Sequence, residues 1–245
     1  MVVATLKELF DLKGKVALIT GCKNLGYDAA EALAEMGAIV VLTRRNLEEA
    51  KAAALKLSEE MNSDVVGVSL EVTDEQNWEK IADNILSEFG KIDILINNAG
   101  GRNPTRVDDK TMEDMILGFL EGRSLEDWKY GIDVNLTSVF LGCKTVIPHM
   151  RRQGYGKIIN IASIDGLLGR DLRIYKETGL SPTVADYLAG KAGVINLTRG
   201  MAVVYAPYGI CINSISPGGF FRNQPESFVQ NYERLVPLGR MGGTG

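Results

Sequence analysis

Histidine, cysteine and long apolar runs are scarce in this chain, and each scarcity excludes a class of protein. The only histidine, His149, rules out a metal site built from several histidines. Cys22, Cys143 and Cys211 lack the paired spacing of a zinc site or a redox dithiol. No stretch reaches the roughly 18 consecutive apolar residues that a membrane helix needs. We therefore expect a protein of the cytoplasm that holds no metal and keeps its thiols reduced.

Blocks of like charge are also missing. The formal net charge is −4, and the basic residues are spread along the chain. Nucleic acids and membrane surfaces select concentrated positive charge, so we expect neither as a partner. Hydrophobic residues make up 45% of the 245 residues, which is enough to bury a large core. A small-molecule substrate is the expected partner.

Six β-rich runs alternate with helical patterns along the chain. The predicted strands cover residues 15–20, 38–43, 65–70, 92–97, 157–161 and 210–214. The predicted helices cover residues 28–36, 47–61, 74–89, 125–150 and 183–205. This alternation predicts an α/β protein: a single-domain Rossmann fold over residues 1–245, with a doubly wound parallel sheet and helices on both faces.

Two segments are longer than the usual connections of such a fold. Residues 101–123 and 166–182 both follow the carboxyl ends of predicted strands, the edge at which open α/β sheets bind ligands. We expect these insertions to form a substrate lid. The alternative is a pair of surface insertions without a function.

A glycine-containing turn joins the first strand to a helix. This arrangement points backbone N–H groups and the positive end of the helix at a pyrophosphate. The candidate cofactor-binding residues of the turn are Gly21, Lys23, Asn24, Leu25 and Gly26, with Asn24 tolerating a left-handed backbone. After the second strand, Arg44 and Arg45 stand where an NAD enzyme usually has an acidic residue. Their guanidinium groups suit a 2′-phosphate, so NADP(H) is favoured over NAD(H).

Tyr187 and Lys191 lie one helical turn apart, which places a phenol above an ammonium on one face. A nearby cation favours the phenolate, so the pair can act as a general acid and base near neutral pH. The alternative is a solvated helix face.

Together these motifs resemble the short-chain dehydrogenase/reductase family from about Leu12 to Gly242. The turn is similar to the family's TGxxxGxG motif with one residue fewer, residues 97–100 match its NNAG motif, and Tyr187 with Lys191 matches its YxxxK pair. The resemblance implies that Asn135 holds a proton-relay water and that Ser163 orients the reacting oxygen of the substrate. It implies further cofactor contacts, which are Glu71, Val72, Asn98, Ala99, Gly100, Pro217 and Gly218, besides Tyr187 and Lys191 themselves.

The spacing between the serine and the tyrosine is longer than in the family. Tyr175 lies 12 residues after Ser163 and Tyr187 lies 24 after it, but only Tyr187 has a lysine four positions on. We therefore expect the second insertion to carry Tyr175 over the substrate. Relatives assemble as dimers or tetramers and continue beyond residue 245, so a homo-oligomer and an incomplete C-terminal end are expected.

Several arginines lie in the two insertions or after the last strand, namely Arg102, Arg106, Arg123, Arg170, Arg173 and Arg222. Guanidinium groups that converge on one cleft would suit a carboxylate. Residues 134–141 and 213–219 are similar to gluconate 5-dehydrogenase-like members, which suggests an oxidoreductase acting on a sugar acid or polyol. Two alternatives stay open: a 3-oxoacyl thioester reductase, and a non-catalytic NADP(H)-binding sensor or scaffold.

Overall fold

The computed structural model describes residues 6–101 and 111–243, which form two compact units. The first comprises the described residues up to Ala99 with Ser138–Asn160 and Arg199–Asn213. The second comprises the described residues of Gly100–Thr137, then Ile161–Thr198 and those from Ser214 on. Among these described residues, each helix is too short or too polar to span a lipid bilayer.

A six-stranded parallel sheet makes up the centre of the first unit. Only the last residues of its fifth and sixth strands, Ile161 and residues 214–215, are assigned to the second unit. The strands are β1 Val16–Thr20, β2 Ile39–Arg44, β3 Val65–Ser69, β4 Ile94–Asn97, β5 Gly156–Ile161 and β6 Ile210–Ile215. Their order is β3-β2-β1-β4-β5-β6. Strands β1 to β3 are therefore added towards one edge of the sheet and β4 to β6 towards the other, so the strand order switches between the neighbours β1 and β4. Every residue of β1 and β4 is buried, which explains their unbroken apolar sequence. With helices around it, this sheet confirms the predicted doubly wound α/β fold.

The helices follow the sequence prediction closely but not everywhere. They are α1 Leu6–Phe10, α2 Leu25–Glu35, α3 Leu47–Met61, α4 Glu75–Phe89, α5 Met112–Ile116, α6 Leu125–Ile132, α7 Ser138–Gln153, α8 Ala185–Tyr205 and α9 Glu226–Glu233. The side chain of Asn46 caps α3 by accepting from the Glu49 N–H at 3.1 Å, and that of Asp74 caps α4 in the same way. The N-terminal ends of these helices are therefore fixed by local sequence.

One predicted helix is divided in the structure. The helical pattern over 125–150 is occupied by α6 and α7, with a π-helical segment, Asp133–Thr137, between them. A π segment inserts a residue into the helix without ending it, so apolar spacing alone does not reveal it. The segment contains Asn135, one of the predicted catalytic residues.

Candidate active site

The glycine turn is built around one close backbone approach and two residues with positive φ. A Cβ added to Gly26 would lie 2.0 Å from the carbonyl oxygen of Gly21, and Gly21 itself has φ of 81°. Asn24 also takes a positive φ, 50°, as expected from its place in the shortened turn. Only glycine fits at Gly26 because any side chain would displace the turn. The turn leads directly into α2, whose first N–H groups form a dipole end suited to a pyrophosphate.

Asn98 ties this turn to the neighbouring strand. Its side-chain amide donates to the carbonyl oxygens of Thr20 and Gly21 at 3.0 and 3.3 Å. The hydroxyl of Thr20 accepts from the backbone N–H groups of Asn98 and Ala99, both at 2.9 Å. The NNAG motif therefore holds the glycine turn in place within the first unit.

Glu71 and Val72, which are predicted cofactor contacts, are also held in fixed positions. Asn77 accepts from the backbone N–H of Glu71 at 2.7 Å, and the Glu71 carboxylate accepts from the Thr73 hydroxyl at 3.0 Å. The indole of Trp78 donates to the carbonyl oxygen of Val72 at 2.9 Å. Arg45 is exposed, whereas Arg44 pairs with Glu49.

In the second unit, Tyr187 and Lys191 lie together on α8. The Lys191 ammonium is 5.7 Å from the centroid of the Tyr187 ring and donates to the carbonyl oxygen of Ile161 at 2.7 Å. Lys191 is only 4% exposed, and this burial lowers its pKa from 10.5 to about 8. The lysine is therefore mostly protonated at neutral pH, and its ammonium lies beside the ring of the tyrosine.

Asn135 is fully buried, and both the nitrogen and the oxygen of its side-chain amide form hydrogen bonds. It donates to the carbonyl oxygens of Gly131 and Gly101 at 2.9 and 2.8 Å and accepts from the Gly101 N–H at 3.0 Å. A Cβ at Gly100 would lie 2.9 Å from the Asn135 oxygen and 3.2 Å from the Lys191 nitrogen. Both polar groups therefore border Gly100, which shows that the structure brings this predicted pair together.

Ser163 follows β5 and is also placed against α8. Its hydroxyl oxygen accepts from the Asp165 N–H at 3.1 Å, which fixes the side chain. Gly166 packs so closely on the helix that an added Cβ would lie 2.7 Å from the carbonyl carbon of Lys191. The N–H of Ile164 donates to the carbonyl oxygen of Pro217 at 3.0 Å. The serine, the lysine and the Pro217–Gly218 turn are thus linked within the second unit.

The second insertion is fastened at both ends by Asp165. This buried carboxylate accepts from Arg170 at 2.8 Å on one oxygen and from the Thr183 hydroxyl at 2.9 Å on the other. Between these points, Tyr175 is 3% exposed and lies in an apolar cluster with Phe228 and other residues of the second unit. Its ring centroid is 5.5 Å from that of Phe228. Tyr175 is thus a core residue of the insertion, and the expectation that it lies over the substrate is wrong.

The arginines assigned to a substrate carboxylate have partners of their own. Arg123 forms an ion pair with Asp186, and the two side chains are 4% and 0% exposed. Arg170 pairs with Asp165, and Arg173 pairs with Asp171. Arg222 is exposed, whereas Arg102 and Arg106 lie outside the described residues. Three of the six predicted cations are therefore neutralised by neighbouring carboxylates.

Sequence reasoning missed the residues that support the site. Asp165 and Asp186 stand two residues after Ser163 and directly before Tyr187, so proximity to the motifs could have drawn attention to them. Tyr232 accepts from the Gly219 N–H at 2.6 Å and thereby supports the turn after β6. Nothing near Tyr232 in the sequence indicates this role, because its partner is 13 residues away.

Comparison with known families gives a match over most of the chain. A family model described as short chain dehydrogenase matches residues 15–223. A trans-4-hydroxycyclohexanecarboxylate dehydrogenase of Sinomonas cyclohexanicum is 34% identical, over 92% of this chain and 80% of that protein. A 3-oxoacyl-(acyl-carrier-protein) reductase of Vibrio cholerae is 33% identical, over 95% of this chain and 86% of that protein.

Two solved structures are similar throughout. One is a gluconate 5-dehydrogenase from Burkholderia cenocepacia in complex with NADP and tartrate, with a TM-score of 0.81, 32% identity, and coverage of 98% of this chain and 87% of that one. The other is an NAD⁺-bound xylitol dehydrogenase with a TM-score of 0.81, 28% identity, and coverage of 95% and 88%. These relatives differ in substrate and in cofactor.

Proposed function

The chain belongs to the short-chain dehydrogenase family, and we propose that it transfers a hydride between NADP(H) and a secondary alcohol or ketone of a polyol or sugar acid. Its family membership makes it an oxidoreductase that acts on CH–OH groups with a nicotinamide cofactor. The observation that carries the proposal is the buried Lys191 ammonium beside the ring of Tyr187.

The chain's own residues fit such a cofactor. The Gly21–Gly26 turn leaves no room for a Cβ at Gly26 and leads into a helix N-terminus, which suits a pyrophosphate. Arg44 and Arg45 would hold the 2′-phosphate, and Lys23 of the glycine turn would join them, since it and Arg44 contact the same carboxylate oxygen of Glu49. The rest of the cofactor would be held by Tyr187, Lys191, Asn98, Ala99, Gly100, Glu71, Val72, Pro217 and Gly218. When bound, the nicotinamide supplies the carbon that donates or accepts the hydride.

Tyr187 would move the proton at the reacting oxygen of the substrate. In the reductive direction its hydroxyl gives a proton to the oxygen of the ketone, and in the oxidative direction the phenolate takes the proton of the alcohol. The ammonium of Lys191 favours that phenolate because it is held near the ring by its bond to Ile161. The role proposed for Lys191 is therefore electrostatic.

Ser163 would orient the same oxygen. The serine hydroxyl oxygen accepts from the backbone N–H of Asp165, so the hydroxyl can direct its own proton at the substrate oxygen, where it stabilises developing negative charge. Asn135 and Lys191 both border Gly100, and we propose that a relay water between them returns protons to the tyrosine.

Of the two proposed substrate classes, a polyol is better supported than a sugar acid. A carboxylate would need free guanidinium groups, but Arg123, Arg170 and Arg173 are already paired with carboxylates, which leaves the exposed Arg222 among the described members of the set. Similarity to a gluconate 5-dehydrogenase and a xylitol dehydrogenase favours a polyhydroxylated substrate. A second candidate is a 3-oxoacyl thioester, which the 33% identity to a 3-oxoacyl-(acyl-carrier-protein) reductase supports.

We further propose a homo-oligomer of the cytoplasm, a dimer or tetramer. Exposed apolar side chains such as Phe140, 47% exposed, and Val203, 78% exposed, support association. The free thiols of Cys22, Cys143 and Cys211 support a reducing compartment. Light scattering coupled to gel filtration measures the mass in solution, and a mass near the 26.7 kDa of one chain would contradict association.

A spectrophotometric panel tests the activity. Xylitol, gluconate and a 3-oxoacyl thioester are each assayed with NAD(H) and NADP(H), in the wild type and in Tyr187→Phe. We expect turnover of a polyol and a loss of about a hundredfold or more in kcat in the variant, because the acid/base group is removed. Tyr130→Phe is the matched control, since Tyr130 is 47% exposed on α6.

Three results would revise the proposal. Unchanged turnover in Tyr187→Phe would contradict the mechanism. Turnover of the thioester alone would favour the second candidate. Binding of NADPH with no turnover of any substrate in the panel would favour a non-catalytic sensor or scaffold.

A further inference from the structure

An acidic side chain lies between two of the cations assigned to the 2′-phosphate. A carboxylate oxygen of Glu49 is 2.5 Å from a terminal guanidinium nitrogen of Arg44 and 3.8 Å from the ammonium of Lys23. Lys23 comes from the glycine turn, Arg44 ends β2, and Glu49 lies in the first turn of α3. All three residues belong to the first unit. Glu49 therefore places one negative charge beside two positive charges.

The backbone of Glu49 is held from two directions. Its N–H donates to the Asn46 side chain at 3.1 Å, and its carbonyl oxygen accepts from the thiol of Cys22 at 4.0 Å. Glu49 occupies the third position of the helix, from which a glutamate can reach back to its own N-cap. Here its carboxylate reaches Arg44 instead. The contact therefore follows from a fixed backbone position as well as from a flexible side chain.

This contact opposes the binding of a 2′-phosphate. A phosphate that binds Arg44 must compete with the carboxylate already bound to it, and the phosphate is also repelled by the negative charge of that carboxylate. The 2′-hydroxyl of NAD carries no charge and can donate to a carboxylate, which is the use that NAD enzymes make of an acid at the end of the second strand. The two cofactors thus respond to Glu49 in opposite ways.

We propose that Glu49 sets the cofactor preference of this protein, by weakening the binding of NADP(H) and supporting that of NAD(H). The inference rests on the proposed function, in that it takes Lys23 and Arg44 as the residues at the 2′ position. Arg44 and Lys23 alone would make the site strongly selective for the phosphorylated cofactor. With Glu49 present, the selectivity is modest.

Isothermal titration calorimetry with NADP⁺ and NAD⁺ tests this without any substrate, and 2′,5′-ADP and 5′-AMP isolate the contribution of the 2′ position. Glu49→Gln should raise the ratio of NADP⁺ to NAD⁺ affinity about tenfold, since it removes one nearby negative charge from a partly exposed site. Glu48→Gln is the matched control. It lies in the same helical turn and carries the same charge, but pairs with Lys51 at 3.3 Å.

A double-variant cycle makes the test specific to the ion pair. In an Arg44→Gln background, Glu49→Gln should change the affinity ratio much less, because the pair is already broken. An unchanged ratio in Glu49→Gln, or an equal shift in Glu48→Gln, would overturn the inference while leaving the proposed function intact. A wild type that binds none of the four nucleotides would overturn both.

Discussion

Replacing Asp186 by alanine should destabilise the protein strongly, because the change leaves the guanidinium of Arg123 buried without its counter-charge. The nitrogen Nε of Arg123 donates to Asp186 at 2.8 Å, and a second guanidinium nitrogen lies 2.8 Å from the same oxygen. Asp186 directly precedes Tyr187 at the start of α8, while Arg123 lies just before α6. The pair therefore joins the helix of the tyrosine to the segment that leads to Asn135.

The magnitude follows from the burial. The two side chains are 4% and 0% exposed, so water cannot replace the lost carboxylate. Removal of one partner from a buried ion pair costs about 3–5 kcal/mol. For a chain of this length, each kcal/mol lowers the melting temperature by about 2–4 °C, which gives an expected decrease of about 6–20 °C. Melting followed by circular dichroism measures this decrease.

A second variant separates charge from packing. One oxygen of Asp186 and one terminal nitrogen of Arg123 are buried without a hydrogen-bond partner among the described residues, and the other terminal nitrogen, 2.8 Å from Asp186, lacks hydrogen-bond geometry, so the pair is poorly satisfied. Replacing both members, as Arg123→Met with Asp186→Ala, should therefore restore most of the lost stability. The reasoning is refuted if Asp186→Ala melts within about 2 °C of the wild type, or if the double variant is as unstable as the single one.

Two further predictions concern groups on α8 and α6. Because burial lowers the pKa of Lys191 to about 8 against 10.5 when unfolded, its charge destabilises the fold by about 3 kcal/mol below that pKa and less as the pH rises towards 10.5. Lys191→Met should thus raise the melting temperature at neutral pH, with a gain that shrinks in alkali. A gain independent of pH, or an equal one in exposed Lys176→Met, would contradict this. Gly131→Ala should cost about 1–3 kcal/mol in urea unfolding, because its Cβ would lie 1.8 Å from Asp186. Gly200→Ala, with open space around it, should instead stabilise by about 0.5–1 kcal/mol, and equal stability of the two variants would refute the close approach.

Periodicity in the sequence was sufficient for the sheet. Strand β1, predicted over 15–20, spans Val16–Thr20, and the helix predicted over 47–61 spans Leu47–Met61. Both elements can be predicted from neighbouring residues in the sequence. A strand buried on two faces has an unbroken run of apolar residues, and capping residues mark the ends of a helix. The π-helical segment around Asn135 was not predictable in this way, because one additional residue leaves the apolar pattern nearly unchanged.

Long-range partners were the larger omission. Tyr175 reads as a polar aromatic in a long connection, yet it is buried because α9 supplies Phe228 and Tyr232 to the same cluster. These residues lie more than 50 positions further on, and no local pattern couples the two segments. The helix α9 itself was not predicted. An insertion that packs on its own core has a defined shape, so its polar residues cannot all be assigned to the substrate.

The same omission affects the inferences drawn from the positive charge of three arginines. Arg44, Arg123 and Arg170 all look available in the sequence, and each is paired with a carboxylate of its own unit in the structure. Sequence position identifies where a cation lies, whereas its partner determines whether that charge can attract a ligand. For Arg123, burial with Asp186 makes the charge structural. For Arg44, the pair is partly exposed, so a ligand can compete for it, and the outcome depends on Glu49. We therefore expect the acidic residues to influence cofactor and substrate recognition as much as the arginines do.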